Sequence, residues 1–471
     1  MRLATTNVAK LLARAASRTA ANTRALSTTM PASNAKFRVK TYNAISPEGL
    51  AKYPAEIYDV SGDDSFAEPH AIMLRSHKLQ ESEVPDTVRA IARCGAGVNN
   101  IPVDRMTALG VPVFNTPGAN ANAVKELVLC ALFLTSRGIV DGVQHMRQLH
   151  KEGTAKERVE KDKKMFGGQE IAGKTLGVVG LGHIGASVAE AAMALGMNIV
   201  GYDPVLSVEA AWRLPGEKIT RAESIPNLVA QSDYVSIHVP FIPGVTEDLI
   251  GDEVLLHMRP HTNLLNFSRG EIVDSKALRA WLDAGATGKY ICDFPDDDLH
   301  DHPNVQLVPH LGASTEEAEA NAAAMAADTI RDYIETGSVR NSVNFPEIKL
   351  EARDDAVARV CIVTRNEPGM LGAIMTLLGD AGINVLQHSN ASKGDVAYNV
   401  VDMAKPSKDK AGPGDALTFK SWQALQDALT GIQGVLSTRI LEGSRGAYYS
   451  HGELYYAQLK RTISREVSSR A

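Results

Sequence analysis

The chain has 471 residues, 44% hydrophobic and 22% charged, which suits a globular protein of two or three domains; no apolar run is long enough to span a bilayer. A net charge of −6 excludes a general attraction to nucleic acid or to an anionic membrane, so an anionic substrate would need a local basic site. Cys94, Cys130, Cys292 and Cys361 are scattered and form no C-x-x-C pair, which points to free thiols in a reducing compartment and to neither a zinc set nor a disulfide framework.

Residues 1–30 stand apart. They carry Arg2, Lys10, Arg14, Arg18 and Arg24, and the first acidic residue is Glu48. VAKLLARAASR can place Val8, Leu11, Leu12 and Ala15 on one side of a helix with basic groups on the other. A basic, Ser/Thr-rich, acid-free segment reads as an organelle transit peptide, for the mitochondrion in preference to the plastid. Without cleavage the chain would stay in the cytosol.

From Phe37 the chain alternates short β-type runs with helical segments. FRVKTYN, EIYDV, AIMLR, AIARCG and VPVFN read as strands, and a helix of roughly 121–140 follows. The alternation resumes with TLGVVG, NIVGYD, YVSIHVP, TNLLNFS, YICDF and VQLVPH. This order predicts an α/β protein of two Rossmann-like lobes with parallel, buried strands. The first lobe spans 37–138 and is completed by 314–345 through a second long helix; the second lobe spans 139–313. Residues 346–356 read as a linker. Residues 357–445 then run strand, helix, strand, strand, helix, strand, interrupted by the polar insert KPSKDKAGPGD, which predicts a ferredoxin-like βαββαβ module before a tail, 446–471. VARVCIVT lacks the stacking aromatics that an RNA-binding module of that shape needs.

Gly180, Gly182 and Gly185 form G-x-G-x-x-G between a strand and an Ala-rich helix. The first two glycines permit a tight turn and close approach to a pyrophosphate, and the third lets helix and strand pack. The helix N-terminus supplies amides for the phosphates. Asp203 ends the next strand, where its carboxylate can accept from a ribose 2′-hydroxyl and repels a 2′-phosphate. NAD is therefore the expected cofactor.

TNLLNFSRGEIVD places Asn266, Ser268 and Arg269 past a strand end, where doubly wound sheets bind ligands. Arg269 offers a permanently charged fork for a carboxylate or carbonyl. The acid cluster after YICDF and then VPHLGAST follow at the same edge, ending on His310, whose ordinary pKa of about 6.5 suits proton transfer. His300 and His302 read as parts of a polar loop, and no metal set is expected.

NFSRGEIVD, the acid cluster and PHLGAST, in that order after GLGHIG, resemble the D-isomer-specific 2-hydroxyacid dehydrogenases over roughly residues 38–345. The resemblance implies that His310 is the acid/base and that Arg269 polarises the C2 oxygen and anchors the substrate carboxylate. Asp293 would bind the nicotinamide carboxamide. Cofactor contacts would also come from His183 and Ile184 of the glycine turn, from His238, Val239, Pro240 and Thr246 of HVPFIPGVT, from Asn266 and Ser268, and from Gly312. The family places a glutamate beside the histidine; this chain has FPDDD, so Asp297, or Asp298 in its stead, would take that place.

For the substrate, the turn C-G-A-G-V-N-N exposes successive amides that can form an anion nest. The resemblance assigns Ala96, Gly97 and Val98 to the substrate carboxylate and brings Asn120 beside a cleft between lobes, with closure expected on ligand. Arg75, Ser76 and Lys78 in AIMLRSHKL could hold a phosphate, and the resemblance then implies 3-phosphoglycerate as substrate. TRNEPGMLGAIMTLLGDAGINV resembles an amino-acid-sensing ACT domain. Asn366 and Asn384 match residues that bind L-serine in inhibited relatives, while Thr364 stands in place of a histidine. A homo-oligomer, dimer or tetramer, is implied. Two alternatives stay open: a glyoxylate/hydroxypyruvate reductase, disfavoured by Arg75 and the C-terminal module, and an NAD-sensing corepressor-like binding protein, disfavoured by the N-terminal segment and that module.

Overall fold

A computed structural model describes residues 36–64, 66, 68–206, 219–351, 357–404 and 422–442. The expectations for the transit peptide, the polar insert, residues 352–356 of the linker and the tail lie outside these. The chain divides into two compact units, one of residues up to 117 and from 320 onward, the other of 118–319. Among the described residues no helix is long and apolar enough to cross a membrane.

The first unit contains a five-stranded sheet of β1 (Phe37–Thr41), β2 (Tyr58–Ser61), β3 (Ala71–Leu74), β4 (Ala90–Arg93) and β5 (Val113–Phe114). Its order is β2-β1-β3-β4-β5, with every pair parallel. Ile72, Leu74, Ile91 and Val113 join Met106 in its core, so the central strands are apolar throughout, as strands covered on both faces must be.

The second unit holds seven parallel strands: β6 (Thr175–Val179), β7 (Asn198–Tyr202), β8 (Ile219–Arg221), β9 (Tyr234–Ile237), β10 (Asn263–Asn266), β11 (Tyr290–Cys292) and β12 (Val305–Leu307). The order β12-β11-β10-β9-β6-β7-β8 reverses direction between β6 and β9, the switch point of a doubly wound sheet. β8 escaped the sequence reading because it is a short edge strand whose residues are mostly exposed, so no apolar run marks it.

The expected helix of 121–140 is two helices, α1 (Ala121–Ser136) and α2 (Ile139–Lys151). Arg137 is extended, and a Cβ on Gly138 would lie 3.1 Å from the Phe166 Cα, so a close backbone approach breaks the run. Val124, Val128 and Leu132 of α1 pack with Val178 and Leu265 of the second sheet. This assigns α1 to the nucleotide-binding unit, not to the first lobe. The same unit carries α3 (His183–Ala194), which opens at the glycine turn.

Within the first unit, the C-terminal segment forms β13 (Val357–Arg365), β14 (Val385–Lys393), β15 (Val396–Ala404) and β16 (Val435–Glu442), antiparallel in the order β14-β15-β13-β16. Two further helices complete the expected βαββαβ path and cover one face through Val360, Ile362, Ile374 and Leu429. The opposite face is buried too. It presents Arg359, Tyr398 and Arg439 to the end of the long helix α4 (Glu316–Thr336). The last carbonyls of a helix have no partner within it. Here Arg439 donates to the Tyr333 and Ile334 carbonyls, Arg359 to Thr336 and the Tyr398 hydroxyl to Gly337. Arg359 is at the same time bidentate to Asp402, at 2.6 and 2.8 Å.

Candidate active site

In the second unit the glycine turn lies at the switch point. Gly180 has φ +89°, and a Cβ there would meet the His238 carbonyl oxygen at 2.6 Å. A Cβ on Gly185 would lie 1.9 Å from the Gly180 oxygen, so helix and strand touch by backbone. Nothing lies within 4 Å of a Cβ built on Gly182, which caps α3 with no side chain over its amides. That open cradle fits a pyrophosphate. Asp203 accepts from the amides of Leu181 and Val205, which fixes its carboxylate beside the turn, where a ribose hydroxyl would come. The residues present therefore fit NAD. His183 and Ile184 begin α3.

His238 follows β9, and burial pushes its pKa down to about 3, so the ring is neutral and shares a hydrogen bond with the Ser236 hydroxyl at 2.8 Å. Val239 and Pro240 continue that loop. The Thr246 hydroxyl donates to the Pro240 carbonyl and accepts the Ile242 amide; its bonds close the loop on itself. Asn266 is fully buried, donates to the Arg269 carbonyl and accepts the Ser268 amide. It shapes the Ser268–Arg269 turn and presents no surface to a ligand. The Ser268 hydroxyl ties the turn to the Ile237 carbonyl. Among the described residues the Arg269 guanidinium donates only to the Ser268 carbonyl and makes no ion pair.

His310 is exposed and has φ +54°, an uncommon conformation for a residue with a Cβ. The Phe294 ring lies 4.9 Å from its ring. The expected carboxylate partner is not there. Asp297 is exposed and its carbonyl accepts from His300, and Asp298 is exposed as well. Asp296 is held by Ser275 and caps the amides of Asp298 and Leu299. Among the described residues His310 forms no ion pair, because the FPDDD loop folds onto itself. Asp293 is buried, with its two oxygens accepting the amides of Leu311 and Gly312. Asn120 caps α1 in this same unit. No group of three potential metal ligands gathers among the described residues.

In the first unit Arg75, Ser76 and Lys78 follow β3, and Ala96, Gly97 and Val98 follow β4 at the same sheet edge. Four residues given no role in the sequence reading hold these loops. Asn43, at φ +68°, accepts the amides of Arg75, Ser76 and His77 on one oxygen. Arg93 donates to the carbonyls of Arg75 and Gly97, and Asn100 to those of Arg75 and His77. With Asn115 taking the Ala96 carbonyl, the loop is clamped by its oxygens, and no described residue takes the Ala96, Gly97 or Val98 amide. The signal for Asn43 was its place just past a strand, since asparagine adopts the left-handed conformation readily.

A profile described as the D-isomer specific 2-hydroxyacid dehydrogenase, NAD binding domain, matches residues 134–312. The chain is 31% identical over 393 residues to the D-3-phosphoglycerate dehydrogenase of Escherichia coli, covering 80% of this chain and 88% of that one. It is 32% identical over 329 residues to the D-3-phosphoglycerate dehydrogenase of Methanocaldococcus jannaschii, covering 69% and 59%. The NAD-bound 3-phosphoglycerate dehydrogenase of Entamoeba histolytica shares the fold, with a TM-score of 0.52 and 24% identity over 66% of this chain and 99% of that one. With a glycine cradle open to a pyrophosphate, and an arginine that makes no ion pair among the described residues two strands away from an exposed histidine, these matches lead to one conclusion: the chain belongs to the D-isomer specific 2-hydroxyacid dehydrogenases and is an NAD-dependent dehydrogenase.

Proposed function

We propose that the chain oxidises 3-phospho-D-glycerate to 3-phosphohydroxypyruvate, the first step of the phosphorylated route to L-serine. The observation that carries this reading is the similarity to D-3-phosphoglycerate dehydrogenase over four fifths of the chain. When bound, NAD supplies the hydride acceptor. Arg269 would draw charge from the C2 oxygen and hold the carboxylate in register. His310 would accept the hydroxyl proton as hydride leaves C2 and return it in the reverse direction. The amides of Ala96, Gly97 and Val98 would bind the carboxylate, while Arg75, Ser76 and Lys78 would hold the phosphate. The test follows NADH formation from 3-phosphoglycerate at mildly alkaline pH. Arg75→Ala should raise KM ~10–100-fold, the worth of a charge-assisted bond, with kcat less affected. Reduction of glyoxylate or hydroxypyruvate without oxidation of 3-phosphoglycerate would replace this substrate, and NAD binding without turnover of any 2-hydroxy acid would favour a sensor.

The C-terminal module would act as an ACT-type regulator. Asn366 and Asn384 are exposed and so open to a ligand such as L-serine, whereas Thr364 is buried beside Asn399. Serine that leaves NADH formation unchanged would remove this role. A homo-oligomer accords with Phe133, Ile139 and Val143, apolar and exposed on α1 and α2; a single-chain mass in sedimentation would exclude it. Residues 1–30 would direct the chain to the mitochondrion, and a reporter fused to them that stays cytosolic would refute this.

A further inference from the structure

We infer that Asp293 is the residue that positions the imidazole of His310: its buried carboxylate folds the turn that carries the histidine. The inference rests on His310 as the acid/base of the reaction proposed above. It assigns to Asp293 a task different from the nicotinamide contact that the resemblance implies.

Asp293 directly follows β11 and is only 1% exposed. Its Oδ1 accepts the Leu311 amide at 2.6 Å and its Oδ2 the Gly312 amide at 2.8 Å. These are the two residues that follow His310. A charged acceptor that takes two successive amides fixes the peptide planes between them, and charge-assisted bonds of this kind are the strong ones. His310 itself holds φ +54°, a conformation that a β-carbon disfavours and that persists only where surrounding bonds impose it. The Asp293 bonds lie just past that residue and supply the constraint. Gly312 completes the fit, because a Cβ there would meet Asp293 Oδ2 at 3.0 Å and the Val124 side chain at 3.4 Å. Phe294, the next residue along, sets its ring against the imidazole at 4.9 Å. The β11 end thus grips the turn twice, once by backbone and once by ring.

The charge matters as well. Burial pushes the Asp293 carboxyl up from its ordinary value, while the two amides and the nearby His310 act in the opposite direction. Asp297 and Asp298 are exposed, whereas the buried Asp293 carboxylate lies near enough to His310 for the two to interact electrostatically.

Full-length wild type, Asp293→Asn and Gly312→Ala are compared for kcat and for binary NADH affinity by fluorescence, with circular dichroism as the folding check. The substrate is whichever 2-hydroxy acid the wild type oxidises. Failure of the 3-phosphoglycerate reading therefore changes only the substrate, whereas failure of this inference leaves the variants with wild-type kcat. Asp293→Asn turns an acceptor into a donor facing an amide. It should lower kcat ~100-fold, the scale of general-base catalysis, with NADH affinity within about threefold. Gly312→Ala keeps the charge but crowds Oδ2. It should lower kcat in the same direction, and it decides the matter if Asp293→Asn does not fold. In a His310→Ala background neither change should lower kcat further, because groups that act as one unit are not additive. Weakened NADH binding with kcat retained, or an additive loss in the His310→Ala background, would overturn the assignment.

Discussion

His70 precedes β3 with 8% of its surface exposed, and its Nδ1 accepts the Arg38 amide at 2.9 Å. Burial, reinforced by Arg38 and Arg89, pushes its pKa down to about 4. In the unfolded chain the value is about 6.5, so between these limits the unfolded state binds more protons. Stability is complete above pH about 6.5 and falls as the pH drops toward 4, and His238 acts in the same direction with its pKa of about 3. His70 alone should account for about 2–3 kcal/mol at pH 4. Urea unfolding of wild type and His70→Gln at pH 7 and pH 5 measures this, and an equal acid loss in both chains would refute it. Such residues show how far single positions could be read. The turn at Gly180 and the place of Asp203 beside it were visible because their chemistry belongs to the local motif, and so were the strand-end positions of Arg269 and His310. Asn43, Arg93 and Asn100 were not, since their work depends on carbonyls and amides brought to them from distant strands. The FPDDD acids misled for the same reason: nothing local says that Asp296 will cap the loop and leave Asp297 in solvent.

At the scale of elements, the buried parallel strands were legible because both faces are covered and the sequence is apolar throughout. The edge strand β8 was not, and neither was the break between α1 and α2, where a helical pattern continues across an extended Arg137. The glycine turn separates two tasks that one motif hides. Gly182→Ala introduces a Cβ into open space and should keep the melting temperature while weakening NADH binding, because the pyrophosphate needs that space. Gly185→Ala would drive a Cβ to 1.9 Å from the Gly180 oxygen, so it should lower the melting temperature itself. Calorimetry with fluorescence titration separates the two, and a Gly185→Ala chain that melts like wild type would disprove the close approach.

For the whole molecule, the sequence suggested a module joined by a linker, whereas the structure of the first unit shows one seated by a buried face. Arg359, Tyr398 and Arg439 lie on that face, and the Arg439 guanidinium also stacks 4.1 Å over the Tyr333 ring. The linker composition was legible, but a docking face is apolar and charged in the same pattern as any sheet, so its partner was not. A chain ended at residue 350 would expose the end of α4 together with apolar surface. It should melt ~5–10 °C lower or precipitate, and a soluble fragment with the full-length melting temperature would show the face to be unimportant.

The capped end of α4 also bears on the order in which the protein is made. Tyr333 and Ile334 leave the ribosome about a hundred residues before Arg439, which completes their bonding. During that interval the Tyr333 and Ile334 carbonyls lack the Arg439 guanidinium, so the end of α4 cannot reach its finished form until β16 has been made. A pause in translation before β16 would therefore hold the nascent chain with its first unit unsealed, and that strand sets when the unit becomes whole.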